Sequence, residues 1–510
     1  MTGTRRTAAP RPAATRAPGS LIELLIHRAA LHPGHVALRN GAHSLDLGTW
    51  LRRSAALAAG LLGRGLRPGD PVALRYGSAE WTEYAVAFCG VQWAGGIAVP
   101  LSDRSAPAAA AHVLADCGAV GVLHSPDGTP PPLPDGVWAE AGDRIEAQAP
   151  AGPPPAPPAP SASAQYLYTS GTTGLPKGVG ATHANLAHGC TLDERRRPLR
   201  HSRTFLHSFP IGTNAGQTML VNCLNAAATG VAAPQFTPLR FLRLVEEHRA
   251  GSVFLVPATA VELLSSPALA RCDLSSVRLV GSTAAALPNP VALRLSQVFT
   301  GAQIVNYYTS TEAAPAQVTL LYDPGHPDSP GLPASLDQLR ITGPDGGPLP
   351  AGESGEIWLR SPTDPRTYLG ATGADLEVFR GPWVRMGDLG MLDGDGYLHL
   401  LDRERDVVKS GAYKVSTLQV ENALHAHPDV VDAAAFGIPH PVLGSVVAAV
   451  VVPRRGEPDA ARLRAFLLDR LAVHELPARL LFRDTLPRNE GGKVLKRELH
   501  RLLDDEATTP

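Results

Sequence analysis

The sequence predicts an α/β fold in two parts: a large N-terminal domain of β-sheets and helices, and a small α+β domain at the C-terminus. Three observations lead there. Short β-branched runs alternate with segments whose apolar residues recur at helical spacing. The 510 residues exceed what one simple hydrophobic core accommodates. Near Arg403 the pattern changes to a compact series of strands and amphipathic helices, roughly a hundred residues long and so of domain size.

Taken in order, residues 1–19 are Ala/Pro/Thr-rich with Arg5, Arg6, Arg11 and Arg16. They lack the apolar segment of a secretory signal and read as a disordered tail, with an organellar transit peptide as the alternative. The fold is expected to start at Ser20, which forms an S-x-x-E capping box with Glu23 ahead of Leu24, Leu25 and Ile26. Strands are expected at 72–75, 97–101, 120–124, 253–256 and 277–280, with helices between them, as at 238–250. The Pro/Ala-rich stretch 149–164 reads as a surface excursion inside the large domain. Beyond Arg403, strand and turn at 406–415, a helix at 417–425, buried strands at 430–438 and 446–452, and helices at 462–471 and 493–503 make the second unit. The expected division is therefore a tail at 1–19, a core domain at 20–402 and a small domain at 403–503.

Composition narrows the function. Lys+Arg 46 against Asp+Glu 47 leaves no basic surface for a polyanion, so nucleic acid is not an expected partner. Cys89, Cys117, Cys190, Cys223 and Cys272 are scattered and show neither zinc-ligand spacing nor a disulfide framework. Reduced thiols fit a cytoplasmic enzyme. No apolar run is long enough to span a bilayer.

The most specific stretch is YTSGTTGLPKGV at 168–179. Glycines let backbone N–H groups approach a polyphosphate, and hydroxyls and a lysine add donors and charge. Thr169, Ser170, Gly171, Thr172, Thr173, Gly174 and Lys177 thus form a candidate phosphate cradle. It is not a Walker loop: Pro176 precedes the lysine, and Gly178 stands where a magnesium-binding hydroxyl would be. A flexible surface turn is the plain alternative for the run in isolation.

This run resembles the phosphate-binding signature of the adenylate-forming enzymes, which include acyl-CoA synthetases, luciferases and the adenylation domains of nonribosomal peptide synthetases. The resemblance extends over about 21–503 and implies that family's fold, with a mobile C-terminal domain. Four further segments match in order. NYYTSTE at 306–312 resembles N-x-Y-G-x-T-E, with Thr309 for glycine. It implies nucleotide contacts from Asn306 and Tyr307, stacking of Tyr308 on adenine, an α-phosphate contact from Thr311, and Mg²⁺ on Glu312, the hard oxygen donor that ion prefers. RMGDL at 385–389 resembles R-T-G-D-L, with Met386 for threonine, and implies that Asp388 accepts both ribose hydroxyls. In DRERDVVKSGAYK at 402–414, Asp402 replaces the usual glycine, Arg403 would contact ribose or phosphate, and Arg405 takes the hinge position. Lys409 and Gly411 would line the channel for an incoming thiol. PRNEGGK at 487–493 resembles the closing P-x-x-x-x-G-K and implies that Lys493 is the mobile catalytic lysine, acting with Thr172 and Glu312.

The expected acid pocket comprises 209–217, 256–259, 281–285 and the tyrosines at 307–308, with Phe209, Asn214, Ala215, Val256, Gly281 and Ser282 singled out. The first segment has no aspartate to balance a substrate ammonium, which disfavours a free amino acid. Small lining residues suit a fatty-type chain. An aryl acid is the second expectation, since Asn214 falls near an asparagine of aryl-activating relatives although Thr213 stands where they carry histidine. A dicarboxylic acid would need Arg278 to face the pocket. No carrier domain follows Lys493, so the thiol is expected from CoA or a separate acyl carrier protein. The whole reads as an ATP- and Mg²⁺-dependent ligase making an acyl-adenylate and then a thioester. A nucleotide-binding pseudoenzyme is the rival from another class, and it would lack catalytic residues that this chain retains.

Overall fold

The computed structural model describes residues 17–169, 176–370, 375–454, 456 and 459–508. The expected tail lies outside them up to residue 16. Ser20 caps the first helix, Leu21–Leu31, by accepting from the Glu23 backbone N–H at 3.1 Å. The expected reciprocal bond is shifted: Glu23 reaches the N–H of Gly19, at 2.8 Å, instead of that of Ser20.

Two sheets and the helices around them make most of the large domain. In the nine-stranded sheet the interior strands Val36–Asn40, Thr229–Ala232, Thr204–His207, Ser252–Leu255, Leu279–Ser282 and Gln303–Tyr308 run parallel and adjacent in that order. Helices cover its faces, which is why these strands are short continuous apolar runs and not alternating ones. The seven-stranded sheet includes Pro71–Tyr76, Ile97–Ser102, Gly121–His124, Ser163–Thr169 and Lys177–Thr182. Helix Trp81–Trp93 packs against strands of both sheets, and 12 of its 13 residues are buried. A helix apolar all round has to lie inside. Trp50, Trp81, Tyr84, Phe88 and Phe205 fill the space there.

A third sheet joins Leu339–Thr342, Gly355–Arg360, Trp383–Leu392 and Phe379–Arg380, with Leu398–Arg403 paired to Trp383–Leu392. The last sheet begins at Val408–Ser410 and holds Tyr413–Val415, Val430–His440, Gly444–Pro453 and Arg479–Phe482. Asp402, the departure from glycine, lies near the end of strand Leu398–Arg403, just before the last sheet begins. Its carboxylate accepts from Thr417 N at 2.5 Å, capping helix Thr417–His425, and from its neighbour Arg403 N at 2.7 Å. A carboxylate at a helix N-terminus is favourable.

Two elements differ from expectation in ways that matter for the site. The strand expected at 277–280 is Leu279–Ser282, because Arg278 and Leu279 both donate to Gly251 O before the ladder begins. That shift carries Gly281 and Ser282 to the strand's end. The helix expected from Lys493 starts at Lys496. Residues 489–493 instead form a tight turn in which Asn489 N donates to Lys493 O, Gly492 N to Asn489 O, and Lys493 N to Asn489 Oδ1, each at 2.9 Å. Gly492 has φ +81°, a backbone conformation natural to glycine.

Candidate active site

The parallel strands of the large sheet all end at one edge, the usual ligand side of such sheets. His207, Leu255, Ser282 and Tyr308 are their last residues. Tyr308 Oη donates to Asp388 Oδ2 at 2.6 Å, and Asp388 sits directly across the ladder from Arg403, whose Nε lies 3.4 Å from Oδ1. Burial and the Asp388 charge push the Tyr308 hydroxyl pKa well above the ordinary phenol value, so it stays a donor. Glu312 Oε1 accepts from Tyr368 Oη at 3.0 Å, and the Lys177 ammonium stands 5.4 Å over the Tyr368 ring.

Lys493 joins this cluster from the small domain. Its turn is seated on the large one: Glu490 accepts from Ser102 Oγ at 3.0 Å and pairs with Arg104 at 3.2 Å. Gly492 faces Val256 so closely that a Cβ there would fall 2.8 Å from Val256 Cγ2. Lys493 remains reachable by solvent at an open-sided cleft. The protein packed around it and the positive Arg403 nevertheless push its pKa below the ordinary lysine value, against the pull of Glu312 and Asp388. Chain segments far apart in sequence thus place Lys177, Tyr308, Glu312, Asp388, Arg403 and Lys493 around one cleft.

The departures in the matching segments have local reasons. Thr309 Oγ1 donates to Ala316 O at 2.6 Å, pinning its own turn, and Ser310 Oγ lies 3.9 Å from Met386 Sδ. Thr213 caps helix Asn214–Asn225 by accepting from Gly216 N at 3.0 Å.

Beside the cluster the ends of the parallel strands carry an apolar, aromatic group. Phe254 and Tyr307 have ring centroids 6.1 Å apart at 31°, and Phe205 stands edge-on to Phe254. A Cβ on Gly281 would sit 2.7 Å from both Phe254 and Tyr307, so only glycine leaves room for the two rings. Phe209, Val256, Ala258 and Ser282 are buried next to them, with Asn214 and Ala215 partly so. The Ser282 hydroxyl is buried without a partner.

Not every expected site residue is gathered here. Ser170, Gly171, Thr172, Thr173 and Gly174 lie outside the described residues; Thr169 and Lys177, which flank them, pair across adjacent strands. Lys409 and Gly411 lie on the small domain's hairpin, where Gly411 N donates to Leu443 O at 2.9 Å. Arg278 is exposed beside Gly301 at the opposite end of the parallel strands, away from these rings. Two residues that sequence reasoning missed, Arg366 and Tyr368, come from a stretch without periodicity. The signal available was only an arginine and a tyrosine in an otherwise turn-like run.

Residues 25–369 match the AMP-binding enzyme family, and 419–493 match its C-terminal domain, ending on Lys493. The chain belongs to the AMP-binding enzyme family. Among curated AMP-binding relatives it is 35% identical to a feruloyl-CoA synthase from Amycolatopsis sp over 93% of this chain and 97% of that one. It is 30% identical to an indoleacetate–CoA ligase from Aromatoleum aromaticum, over 95% and 98%. The ATP-bound structure of MatB from Rhodopseudomonas palustris superposes with TM-score 0.84 at 27% identity, covering 96% of this chain and 99% of that one. This AMP-binding enzyme is therefore an ATP-using, adenylate-forming, acyl-activating ligase with the fold expected from its motifs. Among the described residues no helix is long and apolar enough to cross a membrane.

Proposed function

We propose that the chain activates an aryl-type carboxylic acid and delivers it to coenzyme A. The observation that carries the acid class is the aromatic wall at Gly281, where the Phe254 and Tyr307 rings lie over a position that only glycine can fill. Planar rings gain from stacked or edge-on aromatic neighbours in a way that a flexible chain does not. The relatives with feruloyl and indoleacetate substrates support the same reading, and the CoA acceptor rests on them as well. A fatty-type acid is the second reading, favoured by the small side chains of Ala215, Ala258 and Ala284 beside the rings.

In the proposed reaction an oxygen of the acid's carboxylate attacks the α-phosphorus of ATP. The bond to the β-phosphate breaks, and pyrophosphate leaves with its electron pair. The CoA thiol then gives up its proton and its sulfur attacks the acyl carbonyl, expelling AMP. Both partners of the first step are anionic, so the chain must hold cations at their junction. Lys493 would bridge carboxylate and α-phosphate; its lowered pKa reflects the desolvation that strengthens such contacts. Asp388 would accept the ribose hydroxyls and Tyr308 would flank adenine. Thr311 would contact the α-phosphate. The run 169–177 would hold the remaining phosphates, with Thr172 acting beside Lys493.

Mg²⁺ would be held by Glu312 together with phosphate oxygens. The residues fit that arrangement: the Glu312 carboxylate, a hard oxygen donor, is held in the cluster by Tyr368 Oη and has no cation paired to it among the described residues. When bound, the ion neutralises phosphate charge. For the second step the domain beyond Arg403 would pivot about Arg405, withdrawing Lys493 and presenting Gly411 and Lys409 to the thiol channel. Pyrophosphate exchange over a panel of aryl, alkyl and dicarboxylic acids tests this, followed by mass spectrometry of products with CoA and carrier protein offered together. Aryl-CoA as the main product is expected; exchange limited to alkyl acids, or acyl transfer to carrier protein alone, contradicts it.

A further inference from the structure

Arg366 has no place in the scheme above, and its surroundings are unusual for a cation. It is 5% exposed, on a strap fixed at both ends. Upstream, Asn185 Nδ2 donates to Thr363 Oγ1 and Asp364 O, both at 2.8 Å. Downstream, Thr367 and Tyr368 pair with Gly180 and Val179 on the strand that begins at Lys177. The guanidinium is thereby held in place without adjusting to solvent.

Its partners are sparse. Nη1 donates to Thr311 O at 3.0 Å and reaches Asn214 Oδ1 at 3.5 Å, the edge of hydrogen-bonding distance. Nε is buried with no partner. Among the described residues no carboxylate lies within ion-pair distance of it, its partners being the two neutral oxygens just named. Glu312 is close enough to favour the charge without pairing. Burial lowers the guanidinium pKa to about 10, so the group is still a cation at neutral pH. A buried charge facing only neutral acceptors is costly, and folds keep one where a ligand's opposite charge completes it. The two acceptors mark where that ligand lies. Thr311 belongs to the turn assigned to the α-phosphate, and Asn214 opens the helix that begins at the expected acid pocket.

We propose that Arg366 binds the anionic oxygens at the junction of acid and nucleotide, either those of the carboxylate under attack or those of the ATP phosphates. This rests on the adenylate-forming reading of the cleft and not on which acid is used. The planar guanidinium is suited to two oxygens at once, which a lysine ammonium meets only as a point charge.

The test compares wild type with Arg366→Met, Arg366→Gln and Arg366→Lys in the full chain. It measures pyrophosphate exchange, binding of ATP with Mg²⁺ by calorimetry, thioester formation from supplied acyl-adenylate, and Tm. Removing the charge should lower kcat/KM for exchange about a hundredfold, as for one oxyanion donor lost. Lysine should recover about a tenth of wild-type activity or more. Thioester formation from acyl-adenylate should change less than about threefold, because the phosphate–carboxylate junction is already made. The Tm of Arg366→Met should be unchanged or higher, since an unbalanced buried charge has gone. A raised KM for acid with ATP binding intact assigns the oxygens to the carboxylate; weakened ATP binding assigns them to the phosphates. The inference is overturned if Arg366→Met lowers Tm while exchange stays within about twofold of wild type. Should the methionine variant not fold, equal exchange in the Gln and Lys variants overturns it too. Absence of exchange in wild type would instead refute the adenylating reading itself.

Discussion

Gly492→Ala separates docking of the small domain from its stability. Two penalties apply, and only one depends on where the domain sits. The left-handed backbone at φ +81° costs an alanine about 1–2 kcal/mol whether or not the turn is docked. The contact with Val256 Cγ2, at 2.8 Å from the new Cβ, exists only when Lys493 is over the cleft. Making room there costs roughly 2 kcal/mol by the usual scale of overpacking. That is about a thirtyfold loss of the docked arrangement, and hence of adenylation. The assay is pyrophosphate exchange beside thioester formation from supplied acyl-adenylate. Exchange should fall by that factor while the second half-reaction stays within about threefold. Val256→Ala in the same chain removes the opposing methyl group and should restore most of the lost exchange, a coupling that a double-mutant cycle measures directly. Equal slowing of both half-reactions, or no restoration in the double variant, would refute the docking argument.

Two further perturbations follow from the geometry. Asp388→Asn removes the charge facing Arg403 and half the acceptor capacity offered to ribose, so KM for ATP should rise about tenfold or more, whereas Tyr308→Phe should change it much less. Steady-state kinetics with varied ATP check this, and equal effects of the two would count against Asp388 as the ribose acceptor. His207 is buried among Trp81, Phe205 and Phe209, and burial pushes its pKa down to about 3. The fold holds it neutral, while the unfolded chain protonates it below about 6.5. Its contribution to stability is thus complete above that value and falls as pH drops toward 3, by about 2 kcal/mol at pH 5. In His207→Phe the difference in Tm between pH 7 and pH 5 should shrink, even though loss of the acceptor for Phe209 N lowers Tm at pH 7. An unchanged pH slope would contradict the assignment.

Much of the fold was legible because its signals are local. Helix Thr417–His425 falls where its apolar spacing put it, and the strands after 430 extend the β-branched runs by only a few residues. The strand at 279–282 was misplaced by two residues because Val277 looks like strand, whereas Gly251 O already engages Arg278 and Leu279; only tertiary pairing fixes that register. Helix Lys496–Thr508 begins late because Asn489 and Gly492 close a turn ahead of it, a feature that helical periodicity cannot reveal. In the cleft, Glu312, Asp388, Arg403 and Lys493 were visible as acids and bases within short ordered motifs. Tyr368 and Arg366 were not, since their importance comes from a strap laid beside Lys177 and Thr311 by long-range strand pairing. The aromatic wall at Gly281 was hidden for a similar reason. Phe254 and Gly281 become neighbours only through adjacent parallel strands, so sequence alone saw the alanines of the expected pocket and not the ring beside them.

The central claim is that Lys493 joins acid to nucleotide and is dispensable once they are joined. Lys493→Ala, measured in both half-reactions on the same preparation, tests it most directly. Pyrophosphate exchange should fall by about a hundredfold or more, with thioester formation from supplied acyl-adenylate and Tm close to wild type. Exchange at the wild-type rate in that variant would contradict the account.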